Sequence, residues 1–175
     1  VGAISVKGLT PKGRHGNPGT RIAETPSGVL NCIGLENPGA EHFVTHILPD
    51  LKKYDVPLLA NMSAGTIDEF AWMAETLSVD GIAGLEVNVS CPNVECEGMA
   101  FGVDPKVVEQ VTKAVRKVTD KPVIVKLSPN VTDIVEIAKA VEAGGGNGVS
   151  LINTILGMAI DIHRRKPVLG NIYGG

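Results

Sequence analysis

Asn88-Val89-Ser90-Cys91-Pro92-Asn93 closes the apolar run Leu85 to Val89, and its reading decides the fold. Packing alone does not explain a thiol set between two amides at the end of a buried strand. Polar and nucleophilic groups at the C-terminal tips of parallel strands are how an α/β barrel builds an active site. The chain repeats the arrangement. Asn61 ends Val56 to Ala60, Lys126 sits near the end of Pro122 to Leu127, and Asn153 and Thr154 follow Gly148 to Ile152. Each apolar run delivers an amide, amine, hydroxyl or thiol near the same end.

Between these runs lie helical patterns. The spacing predicts helices at about Ile67 to Leu77, Pro105 to Val118 and Asp133 to Ala143. Asp104 is the expected N-cap of the second, with Pro105 at the first helical position. Gly144-Gly145-Gly146 stops the third. An earlier helix is expected over Glu41 to Lys53, with Phe43, Val44, Ile47, Leu48 and Leu51 on one face. The strands at Val56 to Asn61, Ile82 to Val89, Pro122 to Leu127 and Val149 to Ile152 show little alternation, as when both sheet faces are covered. Strand–helix–strand order implies parallel, right-handed crossovers. Gly2 to Lys7 and Ser27 to Leu35 read as extended, and Thr10 to Glu24 as a loop broken by Gly and Pro.

A doubly wound sheet shares this order. No G-x-G-x-x-G follows the first strand, which argues against a dinucleotide fold. Functional groups on successive strand ends call for one axis, which a closed TIM (β/α)8 barrel supplies. A full barrel takes about 250 residues, and this chain has 175. One domain over residues 1–175 is expected, forming the central part of an incomplete barrel. Val1 in place of an initiator Met fits a start inside a longer protein.

Composition narrows the function. Apolar residues make up 43% and charged residues 20%, as in a folded globular domain. Aromatics are only 3% and the net charge is −3, so neither a base-stacking surface nor a basic nucleic-acid footprint is present. No apolar stretch nears the roughly 20 residues of a membrane span. Cys32, Cys91 and Cys96 form no disulfide framework or zinc spacing; a reducing cytoplasm is expected. His42 and His46, at i and i+4, lack a third metal ligand and are read as surface residues.

Cys91, held in a loop by Pro92, suits a thiolate acting as base or nucleophile. Lys126, inside Val123-Ile124-Val125-Lys126-Leu127, needs an anion or acceptor if buried. Lys7 poses the same question after Ala3 to Val6. Asn31, Asn61, Asn88 and Asn153 together offer donors and acceptors for a flat heterocycle with amide edges, and the backbone of Gly34-Leu35 adds to them.

These residues resemble a known family. Asn88 to Asn93, Ala100 to Pro105, Val125 to Ile134, Leu151 to Thr154, Val6 to Thr10, Gly16 to Pro18, Arg21 to Thr25 and Asn31 to Gly39 are similar to segments of dihydroorotate dehydrogenase. The pattern looks most like its NAD-linked, class 1B branch. The resemblance implies a TIM barrel around FMN, oxidation of dihydroorotate to orotate in pyrimidine (UMP) biosynthesis, and a homodimer of the catalytic subunit. It also implies a partner subunit carrying FAD and [2Fe–2S]. Cys91 corresponds to the general base that removes the C5 proton while hydride passes from C6 to FMN. Lys7 corresponds to a residue shared by substrate and flavin. Asn31, Cys32, Ile33, Gly34 and Leu35 correspond to the segment that grips orotate. Asn88 corresponds to an amide that touches both molecules, and Asn153 and Thr154 to the pair that reads the pyrimidine amide edge. Gly8, Asn61, Lys126 and Ile152 correspond to flavin contacts, with Lys126 offsetting negative charge on the reduced ring. Gly8 stands where the family pattern has Ser or Thr, so only its backbone serves. By the same resemblance the opening strand lies before Val1 and the phosphate-binding glycines after Gly175. The stretch alone is therefore expected to bind FMN weakly.

Three rivals remain at this level. One is the pyrimidine-reducing domain of dihydropyrimidine dehydrogenase, which has a similar Asn-x-Ser-Cys-Pro loop. Another is a fumarate-linked single-subunit relative, and the third is a non-catalytic barrel fragment or ligand-binding module. Ser150 to Ile155 favours the orotate enzyme over the first.

Overall fold

The computed structural model describes residues 1–89 and 101–175. Cys91, Asn93 and Cys96 therefore lie outside the described residues. The core is a parallel sheet of five strands: β1 (Ile4–Ser5), β4 (Leu58–Met62), β5 (Ile82–Asn88), β6 (Val123–Lys126) and β7 (Gly148–Ser150), adjacent in that order. A hairpin of β2 (Ile22–Thr25) and β3 (Gly28–Asn31) stands apart from it, as does a small antiparallel pair, β8 (Ile160–Asp161) and β9 (Lys166–Pro167).

Helices fill the crossovers. α3 (Ile67–Leu77) joins β4 to β5, α4 (Pro105–Lys117) joins β5 to β6, and α5 (Ile134–Ala143) joins β6 to β7. The strand order decides between the two parallel architectures. A doubly wound sheet reverses direction beside its first strand and puts helices on both faces. Here the order runs one way, so right-handed crossovers set every helix on the same face. Accordingly α3 packs on α4, and α4 on α5. The result is an arc of a (β/α)8 barrel, as the sequence leads one to expect.

The core lies between sheet and helices. Ala60 and Met62, Leu85 and Val87, and Val123 and Val125 face the helices and are fully buried. Phe70, Met73, Val108, Val111, Val115 and Ile137 meet them from the helix side. Each helix begins where its side chains can satisfy the free N–H groups of the first turn. Thr66 accepts from Glu69 N–H, Asp104 from Lys106 N–H and Asp133 from Val135 N–H. After α5, Gly145 takes φ 82°, and a Cβ on Gly144 would lie 2.5 Å from Thr112 of α4. The glycines thus turn the chain and let α5 approach α4.

The early helix departs from a uniform pattern. α1 (Ala40–His42) passes through a π-helical turn, Phe43–Ile47, into α2 (Leu48–Leu51). Pro49 has no N–H to return to Thr45, and its ring crowds the carbonyl four residues back. A wider turn answers both, with Leu48 N–H donating to Phe43 O. The expected apolar face survives: Phe43 and Leu48 are buried, and Val44, Ile47 and Leu51 pack beside them.

Candidate active site

Parallel strands bring all their C-terminal ends to one edge of the sheet. At that edge the side chains alternate. Met62, Val87, Val89, Val125 and Leu127 enter the core, so the residues between them, Asn61, Asn88 and Lys126, project to the opposite, inner face. Register then sets their rows. Asn61 lies beside Glu86, while Asn88 lies beside Lys126 and Lys126 beside Ser150.

Contacts join the rows. Asn153 Nδ2 donates to Asn88 Oδ1 at 3.0 Å, and Asn153 N–H donates to Leu127 O at 2.9 Å. Asn153 Oδ1 in turn accepts from Thr154 N–H. Asn88, Lys126 and Asn153 thus gather across β5, β6 and the segment after β7. Asn130, beyond β6, ties this segment down by donating to Thr154 O and accepting from Leu156 N–H. Ile152 lies in the same segment with its side chain exposed.

On the other flank, Gly8 follows β1 and faces Asn61. A Cβ at residue 8 would lie 2.8 Å from Asn61 Oδ1 and 3.7 Å from Leu35 Cδ2. Lys7 lines a cleft of about 580 Å³ with Arg14, His15 and Glu36. A second hollow, of about 390 Å³, lies by Pro57, Leu58, Gly81 and Ile82. It is at the N-terminal ends of β4 and β5, away from these polar side chains.

The 32–35 segment is clasped from outside. Asn17 Nδ2 donates to Cys32 O, Asn17 N–H to Ile33 O and Arg14 Nε to Gly34 O. Gly34 takes φ 78° with Asn17 packed on it, and Leu35 takes φ 55°. With its carbonyls engaged, what residues 33–35 can offer a ligand is N–H donors, and those suit a carboxylate. Cys32 differs. Its N–H donates to Arg21 O, its thiol points at Thr20 O, and its side chain packs with Ala23 and Leu169. Asn31 exchanges backbone hydrogen bonds with Gly175 and also donates to Gly175 O from Nδ2 at 3.0 Å. Gly175 in turn lies against Thr154, so one residue bridges Asn31 to the segment after β7.

Sequence reasoning missed Glu86. It lies in β5 between Leu85 and Val87, both fully buried. Its Oε2 accepts from Ser5 Oγ at 2.8 Å and from Asn61 Nδ2 at 2.5 Å. Burial pushes its carboxyl up. Hydrogen bonding from Asn61 and Ser5, a pull from Ser150 and the charge of Lys126 outweigh that and hold it below the usual glutamate range. Ser150 Oγ lends this pull without reaching a full hydrogen-bond geometry. Glu86 is therefore ionised at neutral pH. What its pairing contributes is present above the ordinary glutamate pKa and is lost only as pH falls through the lowered value. The signal was available: a carboxylate within an apolar strand raises the same question as the amine of Lys126.

His42 and His46 stack on the helix surface with ring centroids 4.4 Å apart. No group of three metal-binding side chains occurs among the described residues. No helix among them is long and apolar enough to cross a membrane.

The parallel α/β barrel arc brings amides and a lysine to its strand ends, the edge at which barrel enzymes carry their active sites. The model of the dihydroorotate dehydrogenase family matches residues 1–175, and the chain belongs to that family. It is 55% identical over its whole length to the dihydroorotate dehydrogenase B (NAD(+)) catalytic subunit of Thermoanaerobacter sp. (strain X514). It is 56% identical to the subunit of that name from Desulforamulus reducens, and 49% identical to that of Listeria innocua. In each case the match spans 100% of this chain and 58% of the relative.

Proposed function

We propose that this chain supplies the substrate-facing and base-bearing part of an FMN-dependent dihydroorotate dehydrogenase, oxidising dihydroorotate to orotate in pyrimidine synthesis. The observation that carries the reading is the meeting of Asn88, Asn153 and Lys126 at one edge of the sheet. Two amides and a cation complement a flat ring with alternating N–H and C=O groups. The family is flavin-dependent, and this donor set fits a flavin. Gly8 sets no side chain against Asn61 Oδ1, and Ser150 Oγ is buried with no full hydrogen bond among the described residues.

In this reading Asn61, Lys126 and the backbone of Gly8 hold the flavin ring, with Ile152 against it. Bound FMN supplies a hydride acceptor. Asn88 and Lys7 would each contact both flavin and substrate. Asn153 and Thr154 read the pyrimidine edge. Asn31 and the N–H groups of residues 33–35 take the substrate carboxylate, with Cys32 anchoring that segment. Cys91 removes the proton from C5, next to a carbonyl, as a base in position must. The pair of electrons leaves with the hydrogen on C6, and the C5–C6 double bond of orotate forms. The relatives are named as catalytic subunits of an NAD(+) enzyme. That name supports a further subunit; in this reading the partner carries FAD and [2Fe–2S], and the catalytic subunit forms a homodimer in the cytoplasm.

The substrate is tested with the full-length protein under anaerobic conditions. Dihydroorotate is expected to bleach the flavin absorbance, and dihydrouracil, which lacks the carboxylate, to do so far more slowly. Faster bleaching by dihydrouracil would instead support the pyrimidine-reducing alternative. Bleaching by neither would leave a non-catalytic module.

A further inference from the structure

Glu86 belongs to none of the roles above, yet it occupies the inner face of the sheet beneath them. Its carboxylate bonds to Ser5 of β1 and Asn61 of β4, and it senses Lys126 of β6. It thus connects three strands. A carboxylate without a proton only accepts hydrogen bonds. Asn61 must therefore turn its NH₂ toward Glu86, and its carbonyl oxygen is left to point elsewhere. That oxygen faces Gly8, which presents no side chain to it.

We propose that Glu86 is a positioning residue that locks the Asn61 amide with Nδ2 inward and Oδ1 toward Gly8. The ligand atom received there must then carry a hydrogen: a ring N–H or a hydroxyl. The inference rests on the flavin reading and adds to it the polarity of this contact. An asparagine left to itself presents either end, since network partners alone decide its orientation. Glu86 removes the choice, and its own charge is met by hydrogen bonds from Ser5 and Asn61 and by the nearby charge of Lys126 rather than by the ligand.

The test is a set of FMN titrations on the full-length protein, followed by flavin fluorescence, with thermal unfolding as a control. In E86Q the new amide can donate as well as accept, so Asn61 is free to flip. Affinity is expected to fall at least about tenfold, the scale of one hydrogen bond to a charged group. N61D sets a second carboxylate against Glu86 and is expected to lose as much or more. The double variant N61D/E86Q exchanges the partners. The amide now on β5 donates to the carboxylate now on β4, an acceptor still faces Gly8, and the total charge is unchanged. Its affinity is expected to return to within about threefold of the unaltered protein, through coupling between touching residues.

Unchanged affinity in E86Q would overturn the proposal, and so would a double variant no better than N61D. If E86Q does not fold, the comparison of N61D with the double variant decides by the same rule. Failure of the unaltered protein to take up FMN would overturn the flavin reading together with this inference. It is told apart because it appears before any substitution.

Discussion

Cys91→Ser is expected to slow flavin reduction by dihydroorotate by roughly 10²–10⁴-fold at neutral pH, the range general base catalysis contributes. A thiol has an ordinary pKa of about 8.5, so modest help yields a thiolate. A serine hydroxyl titrates far higher and needs a base of its own. The exchange removes the proton acceptor while keeping a small polar side chain. Orotate binding, read from its perturbation of the flavin spectrum, is expected to persist. Reduction at the original rate in rapid anaerobic mixing would reject Cys91 as the base.

Lys126→Ala should produce the second large effect. Lys126 would stabilise the negative charge that a bound flavin gains on reduction more than it stabilises the resting state. Removing one such group costs about 10²–10³-fold in rate. The register sets Lys126 between Asn88 and Ser150, on the inner face of β6. The same substitution takes away the smallest of the influences that hold the Glu86 carboxyl down, while its bonds from Ser5 and Asn61 remain. Rapid mixing again reads the rate, and a fall smaller than about tenfold would show that Lys126 does not face the developing charge.

The parts of the fold visible in the sequence are those that local physics dictates. α3, α4 and α5 follow from apolar spacing bounded by Thr66, Asp104 and Asp133, and their observed limits differ little from the expected ones. β4 to β7 follow from short Val-, Ile- and Leu-rich runs. Asn61, Asn88 and Lys126 were legible as polar groups at or near the ends of apolar runs, whereas their shared face needed the burial and register of the strands.

Long-range or very short features were not visible in this way. The β2–β3 hairpin pairs Ile22–Thr25 with Gly28–Asn31, and half of it falls within a stretch that Gly and Pro make look like loop. β8 and β9 are two residues each, too short for any periodic signal. The π-helical turn needs the collision of Pro49 with the preceding turn, which hydrophobic spacing does not register. The clasp of Asn17 and Arg14 on residues 32–34 joins positions about one loop apart, and no local pattern announces it. Glu86 was legible in principle. Its single charge lies inside the run Ile82 to Val89, whose apolar character masks it.

The central claim is that the polar strand ends form one receptor for a flavin with a pyrimidine above it. The most direct measurement is a titration of the full-length protein with FMN, followed by orotate. One FMN per chain should bind with altered fluorescence, and orotate should then shift the flavin absorbance through contact with the ring. An FMN-loaded protein whose spectrum orotate leaves untouched, or one that takes up no FMN at all, would contradict the account.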